Sequence, residues 1–265
     1  MMNENKYKDI KIIFFDVDGT LIDVNKEKIS EKTLFALKKL KQKGIKICIA
    51  TGRSPIMIPK FKDLEFDIFL TFNGSYCFND REDIYRNPLE KEDVKKILDN
   101  AKIINRPVSI ATNKEIVANG TEETLEKYFS FAKAKVNVSD KFDQILKDKD
   151  IFQVMMACDI EQREHVLKDT LESEITAWWD YAVDIIPKDG GKGKSVNAIL
   201  DYYGFSKNQS MAFGDGENDI TMLEAVGHGI AMGNAKEKIK NIADDICKSV
   251  DEDGIYYYLK DKRII

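Results

Sequence analysis

The stretch Ile10 to Leu21, I-K-I-I-F-F-D-V-D-G-T-L, is the segment on which the fold turns. Ile12, Ile13, Phe14 and Phe15 form an unbroken apolar run, as expected of a strand buried on both faces of a parallel sheet. The run stops at Asp16. In extended geometry Asp16 and Asp18 point to one side, because side chains alternate along a strand. Gly19 then permits a sharp exit, having no Cβ to clash at positive φ. Two carboxylates at the mouth of a buried strand repel one another. At an effective dielectric near 20, charges about 4 Å apart cost roughly 4 kcal/mol. Either a cation sits beside them or one acid holds a proton.

Working outward, Ser30 to Lys43 carries the signature of a helix: a Ser cap, Glu31 in the first turn, apolar Leu34, Leu37 and Leu40, and Gly44 as the stop. Ile45 to Ala50 reads as a second buried strand ending in Thr51-Gly52-Arg53. A helix is expected near Pro55 to Asp63, then a third strand from Asp67 to Phe72 ending at Asn73-Gly74. This alternation builds a parallel sheet flanked by helices. The fold class is therefore α/β, with a Rossmann-like, doubly wound parallel core.

The rhythm changes after residue 75. Tyr76 to Arg86 reads as a hairpin around Asn79-Asp80-Arg81. A helix to Ile104, short strands near 108–111 and 115–118, helices near 122–132 and 142–146 and a strand at 151–157 follow. A long amphipathic helix over Glu161 to Leu171 then leads to strands at 175–179 and 183–186. We read residues 83–187 as an inserted α+β domain with an antiparallel sheet, and residues 1–82 and 188–265 as the core. The core alternation resumes as Gly190-Gly191-Lys192-Gly193-Lys194 opens a helix to Tyr203. Ser210 to Phe213 is a strand, followed by G-D-G-E-N-D-I-T-M-L, whose second half is helical. Another strand lies at 229–232, a helix starts near Ala235, and residues 254–259 form the last helix.

Of the 265 residues, 43% are hydrophobic and 33% charged, which suits an ordinary globular protein. The formal charge of -5 argues against broad nucleic-acid binding. The polar opening and the absence of an apolar run of about 18 residues argue against a signal peptide or membrane span. Cys48, Cys77, Cys158 and Cys247 lack the paired spacing that frames zinc, and read as buried reduced thiols in a cytoplasmic protein. His165 and His228 are isolated, so histidine-activated nucleophiles have little support.

In an open parallel sheet, ligands bind beyond the carboxyl ends of the strands. Asp16 and Asp18 end one strand, Thr51-Gly52 a second and Gly214-Asp215-Gly216 a third, so all three sets should converge on one edge. Asp219 lies four residues beyond Asp215, one turn up the next helix. Such an oxygen cage suits a hard cation, and Mg²⁺ is the usual occupant where phosphate adds a ligand. Thr51, the amides near Gly52 and Lys192 are placed to neutralise phosphate oxygens.

These motifs resemble those of the haloacid dehalogenase superfamily of phosphatases: D-V-D-G-T the first, A-T-G-R at 50–53 the second, Lys192 the third and G-D-G-E-N-D the fourth. Their order, the spacing and the large insert resemble the Cof-type subfamily with a type IIB cap, as do Asn73-Gly74 and A-M-G-N-A at 231–235. The resemblance implies that Asp16 attacks phosphorus to give an aspartyl-phosphate, and that Asp18 protonates the leaving oxygen and later deprotonates water. It implies Mg²⁺ held by the Asp16 carboxylate, the Asp18 backbone carbonyl and Asp215, with Asp219 orienting the ligands from behind. Thr51, the amides of Val17 and Gly52, Lys192 and Asn218 would grip the phosphoryl group, although either lysine of Lys192-Gly193-Lys194 could reach in. Arg53 and Asn73 read as supporting or hinge residues, and Trp178-Trp179 as one core and one interfacial ring. The implied substrate is a small phosphorylated metabolite, either a sugar phosphate or a phosphorylated cofactor, with the insert as a lid.

Each motif alone has a bland reading: a solvated acid-Gly turn, a strand-end cap, a surface lysine, acids at a helix N-terminus. Their conjunction in order is what favours chemistry. Two alternatives remain on the same core: a sugar phosphomutase, which needs a second phosphate site and an arginine cluster that the scattered Arg86, Arg106 and Arg163 do not supply, and a phospho-ligand-binding protein without turnover, which the presence of Asp18 disfavours.

Overall fold

The computed structural model describes residues 6–23, 28–61 and 64–265, with the side chain of Trp178 not described. Along the chain run β1 (Ile12–Phe15), α1 (Glu31–Gln42), β2 (Lys46–Ala50), β3 (Ile68–Thr71), β4 (Tyr76–Phe78) and β5 (Asp83–Arg86). Next come α2 (Lys91–Ile103), β6 (Val108–Ala111), β7 (Ile116–Ala118), α3 (Glu123–Phe131), α4 (Phe142–Asp148), β8 (Gln153–Ala157), α5 (Arg163–Val166), β9 (Ser173–Trp179) and β10 (Ala182–Pro187). The remainder is α6 (Lys192–Tyr203), β11 (Ser210–Gly214), α7 (Ile220–Ala225), β12 (His228–Ala231), α8 (Glu237–Lys240), β13 (Asp245–Ile246) and α9 (Gly254–Asp261).

The first sheet has the order β13-β12-β11-β1-β2-β3-β4-β5. Strands β13 to β3 run parallel, β4 pairs antiparallel with β3, and β5 pairs antiparallel with β4. Alternation along β1 sends Ile13 and Phe15 into one apolar layer, with Leu34, Leu37 and Leu40 of α1 and Leu259 of α9. Ile12 and Phe14 enter the other layer, with Val196 and Ile199 of α6 and Met222 of α7. All four β1 residues are fully buried, as their unbroken apolar run requires. The Ser30 hydroxyl accepts from the Thr33 amide at 3.0 Å and caps α1.

The chain divides into two compact units, residues 1–53, 58–86 and 191–265 in one, residues 54–57 and 87–190 in the other. The insert therefore begins later than the 83 read from the sequence, because β5 pairs with β4 and completes the first sheet. It ends later than 187, since the Lys188 amide still donates to Glu172 of the insert at 2.8 Å. Within the insert, an all-antiparallel sheet of order β7-β6-β8-β10-β9 packs Val108, Ile110, Val154, Met156 and Ile185 against α2 and α5.

Two helices expected from the sequence are cut short. Over 55–63 only a single 3-10 turn forms at Pro55–Met57, and Pro59 accounts for the stop: it lacks an N–H and disfavours helix at the residue before it. Lys62 and Asp63 lie outside the described residues. The long helix over 161–171 is a 3-10 turn plus α5 alone. Asp169 takes φ 63° and the Asp93 carboxylate draws the Leu171 and Glu172 amides away from helical partners. The four cysteines are buried and unpaired, and no helix among the described residues is long and apolar enough to cross a membrane.

Candidate active site

Asp16 follows β1 directly, and its amide donates to Phe213 of β11 at 3.0 Å, so the strand's last ladder bond sets its position. Lys192, the first residue of α6, is fully buried. Its Nζ donates to Asp16 Oδ1 at 2.6 Å, to Asp219 Oδ1 at 2.6 Å and to the Ala50 carbonyl at 2.8 Å. A lysine ammonium has three donors, and all three are used. Ala50 ends β2, so one side chain ties together three loop ends of the first sheet. Lys194 is exposed, so of the two lysines it is Lys192 that reaches Asp16.

Asp219 is fully buried and acts as an anchor. Its Oδ2 accepts from the amides of Asp215 at 3.0 Å and Gly216 at 2.9 Å, while Oδ1 is held by Lys192. The turn G-D-G is thereby folded onto its own helix entry. Asp215 accepts from the Thr20 hydroxyl at 2.8 Å and from Asn234 Nδ2 at 3.1 Å. Gly19, at φ +87°, is obligatory on two counts: a side chain there is strained, and its Cβ would run into the Asp215 carboxylate. Asn234 also bridges the Gly19 carbonyl and the Val250 amide.

Asp18 stands at the more exposed rim. Both of its oxygens accept from Arg53, Nη2 to Oδ1 at 2.7 Å and Nε to Oδ2 at 2.9 Å. Thr51 is buried, and its hydroxyl oxygen accepts the Arg53 amide at 3.1 Å. Asn218 donates to Asn73 Oδ1 at 2.9 Å, and Asn73 packs against Gly52, so this pair borders the Thr51-Gly52 turn. Val17 is buried, and its carbonyl accepts the Leu21 and Ile22 amides. The roles of Thr20 and Asn234 and the pairing of Arg53 with Asp18 were not read from the sequence. A-M-G-N-A and A-T-G-R stood out there without disclosing which atoms they would hold.

The electrostatics follow from burial. Burial lifts the Asp16 carboxyl well above its ordinary value, Asp219 and Asp215 push the same way, and Lys192 opposes them. The Asp215 carboxyl is pushed up to about 6 by burial, against the Thr20 hydrogen bond. Burial would pull Lys192 down, but Asp16 and Asp219 outweigh it and raise it. Asp16, Asp215 and Asp219 each present a carboxylate oxygen within 4.8 Å of the others. One lysine cannot balance three such acids. The donor set is all oxygen, with two carboxyls lifted by burial and by their acidic neighbours, and it fits a hard divalent cation. Asp219 is fully buried and tied by three hydrogen bonds, so Asp16 and the partly exposed Asp215 are the acids that would hold such a cation.

Known proteins resemble this chain along most of its length. The model of the haloacid dehalogenase-like hydrolases matches residues 13–259. YkrA of Bacillus subtilis, whose phosphatase name is itself provisional, is 34% identical over 96% of this chain and 98% of its own length. The B. subtilis 5-amino-6-(5-phospho-D-ribitylamino)uracil phosphatase YitU is 30% identical over 94% of this chain and 96% of its own. The solved structure of the subclass IIB sugar phosphatase BT4131 superposes with a TM-score of 0.83 at 33% identity, covering 96% of this chain and all of that one. The chain thus belongs to the haloacid dehalogenase-like hydrolases, and the enzyme class its named relatives share is that of the phosphoric monoester hydrolases.

Proposed function

We propose that this protein is a Mg²⁺-dependent phosphatase of small phosphorylated metabolites, working through an aspartyl-phosphate on Asp16. The observation that carries the reading is the asymmetric state of Asp16. Lys192 holds its Oδ1 at 2.6 Å, while Oδ2 has no hydrogen bond among the described residues. A carboxylate anchored by one oxygen leaves the other oriented for attack on phosphorus.

The remaining residues then take defined parts. Lys192 and the Thr51 hydroxyl offset the charge of the transferring phosphoryl group. Asp18 gives a proton to the departing oxygen as the P–O bond breaks, then takes one from the water that cleaves the acyl phosphate, which restores Asp16. Asn218 and the amides of Val17 and Gly52 complete the grip. Mg²⁺, held by Asp16, Asp215 and the Asp18 carbonyl, would shield the nucleophile from its anionic substrate. The substrate class draws on the named relatives, one acting on a phospho-ribityl compound and one on sugar phosphates. The insert offers no arginine cluster for a mutase: Arg106 is committed to Glu122 and Asp159.

Purified protein with Mg²⁺ should release inorganic phosphate from p-nitrophenyl phosphate and from members of a sugar-phosphate panel. Asp16→Asn should lower that release by at least about a thousandfold while preserving the fold. Turnover in Asp16→Asn at wild-type rate would remove the assigned nucleophile.

A further inference from the structure

Arg53 is set on a rigid base. Its amide donates to the Thr51 hydroxyl oxygen at 3.1 Å, and its carbonyl accepts the Phe72 amide at 3.1 Å. From that base the guanidinium reaches Asp18 in a two-point fork, 2.7 and 2.9 Å, that occupies both carboxylate oxygens. Such a fork defines the plane of a carboxylate as well as its place. No other side chain pairs with Asp18 among the described residues. As a source of stability the contact counts for little, since both side chains are a third or more exposed. Its consequence is geometric.

A carboxyl that must meet a departing oxygen beside Asp16 loses efficiency when it is free to rotate, because misplacement by about 1 Å can cost on the order of a hundredfold. We propose that Arg53 is the positioning residue for Asp18: it touches no reacting atom and acts by fixing where the acid-base carboxylate points. The inference rests on the proposed role of Asp18. Lysine cannot replace the fork, since it offers one point charge in place of two parallel donors.

The test uses two substrates of similar size that differ in their need for a proton. Benzyl phosphate leaves as a basic alkoxide unless protonated, whereas p-nitrophenyl phosphate leaves unaided. With the full-length protein and Mg²⁺, Arg53→Met should lower kcat/KM for benzyl phosphate by about tenfold or more and for p-nitrophenyl phosphate by less than about threefold. KM should barely move, and Arg53→Lys should recover only part of the loss. In an Asp18→Asn background, Arg53→Met should leave the ratio of the two substrates unchanged. Equal losses on both substrates, or a selective loss that persists in the Asp18→Asn background, overturns the positioning role. If Asp18→Asn itself shows no selective loss, the acid-base reading of Asp18 fails, and the inference with it.

Discussion

Replacing Lys192 by Met keeps an unbranched stem in a fully buried slot and deletes the one cation bonded to Asp16 and Asp219 among the described residues. At an effective dielectric near 20, each 2.6 Å contact corresponds to about 6 kcal/mol of attraction. Much of that offsets the cost of burying the ammonium. Once the lysine is gone, the facing carboxylates, within 4.8 Å of one another, repel by at least about 3 kcal/mol. Removing one partner from a buried pair costs about 3–5 kcal/mol, and we expect Lys192→Met to fall in that range at pH 8. The loss should shrink at pH 5. In the variant Asp16 is lifted further, so the folded state binds more protons than the unfolded one, and stability falls as pH rises from about 4 toward the folded value. Urea unfolding at both pH values, followed by circular dichroism, measures the difference. A loss below about 1 kcal/mol at pH 8, or one that does not change with pH, would refute the reasoning that Lys192 offsets the charge of Asp16 and Asp219.

Two further outcomes follow from other parts of the molecule. Mg²⁺ should raise the thermal midpoint of the wild type, by an amount equivalent to about 2.7 kcal/mol at a hundred times its Kd. EDTA should reverse this, and Asp215→Asn should abolish it in the same thermal-shift assay. In the insert, Asp184 accepts from Tyr128 and burial pushes its carboxyl up to about 6. Its folded value exceeds the unfolded one, so it costs stability as pH rises between about 4 and 6, by no more than about 3 kcal/mol. Asp184→Asn should remove that slope from a stability–pH curve, and an unchanged slope would assign it elsewhere.

Much of the fold was legible because its signals are local. The apolar run before Asp16 has no solvent-facing residue, and only a central parallel strand needs that. The Ser30 cap and Gly44 stop bracket α1 through bonds within a few residues. The misreadings also have local roots overruled from afar. Amphipathic spacing after Glu161 suits a helix, yet Asp93, more than seventy residues upstream, captures the amides that would have extended it. The hairpin at Asn79 was visible through its turn, where the Asn79 side chain accepts the Arg81 and Glu82 amides. That its second strand closes the core sheet depends on pairing, which no turn residue specifies.

The candidate site divides along the same line. Sequence alone determined the residue types and their order: acids after one strand, a hydroxyl-glycine turn after another, a lysine opening a helix, a second acid pair after a third strand. Only the tertiary structure decided which atoms meet. It brought Lys192 and not Lys194 between two carboxylates, buried Asp219 behind three hydrogen bonds, gathered carboxylate oxygens of Asp16, Asp215 and Asp219 within 4.8 Å, and put Asp18 in the fork of Arg53. The physical reason is range. Alternation and capping act over a few residues and are written in spacing, whereas an ion pair across 176 residues exists only once parallel strands set their ends side by side.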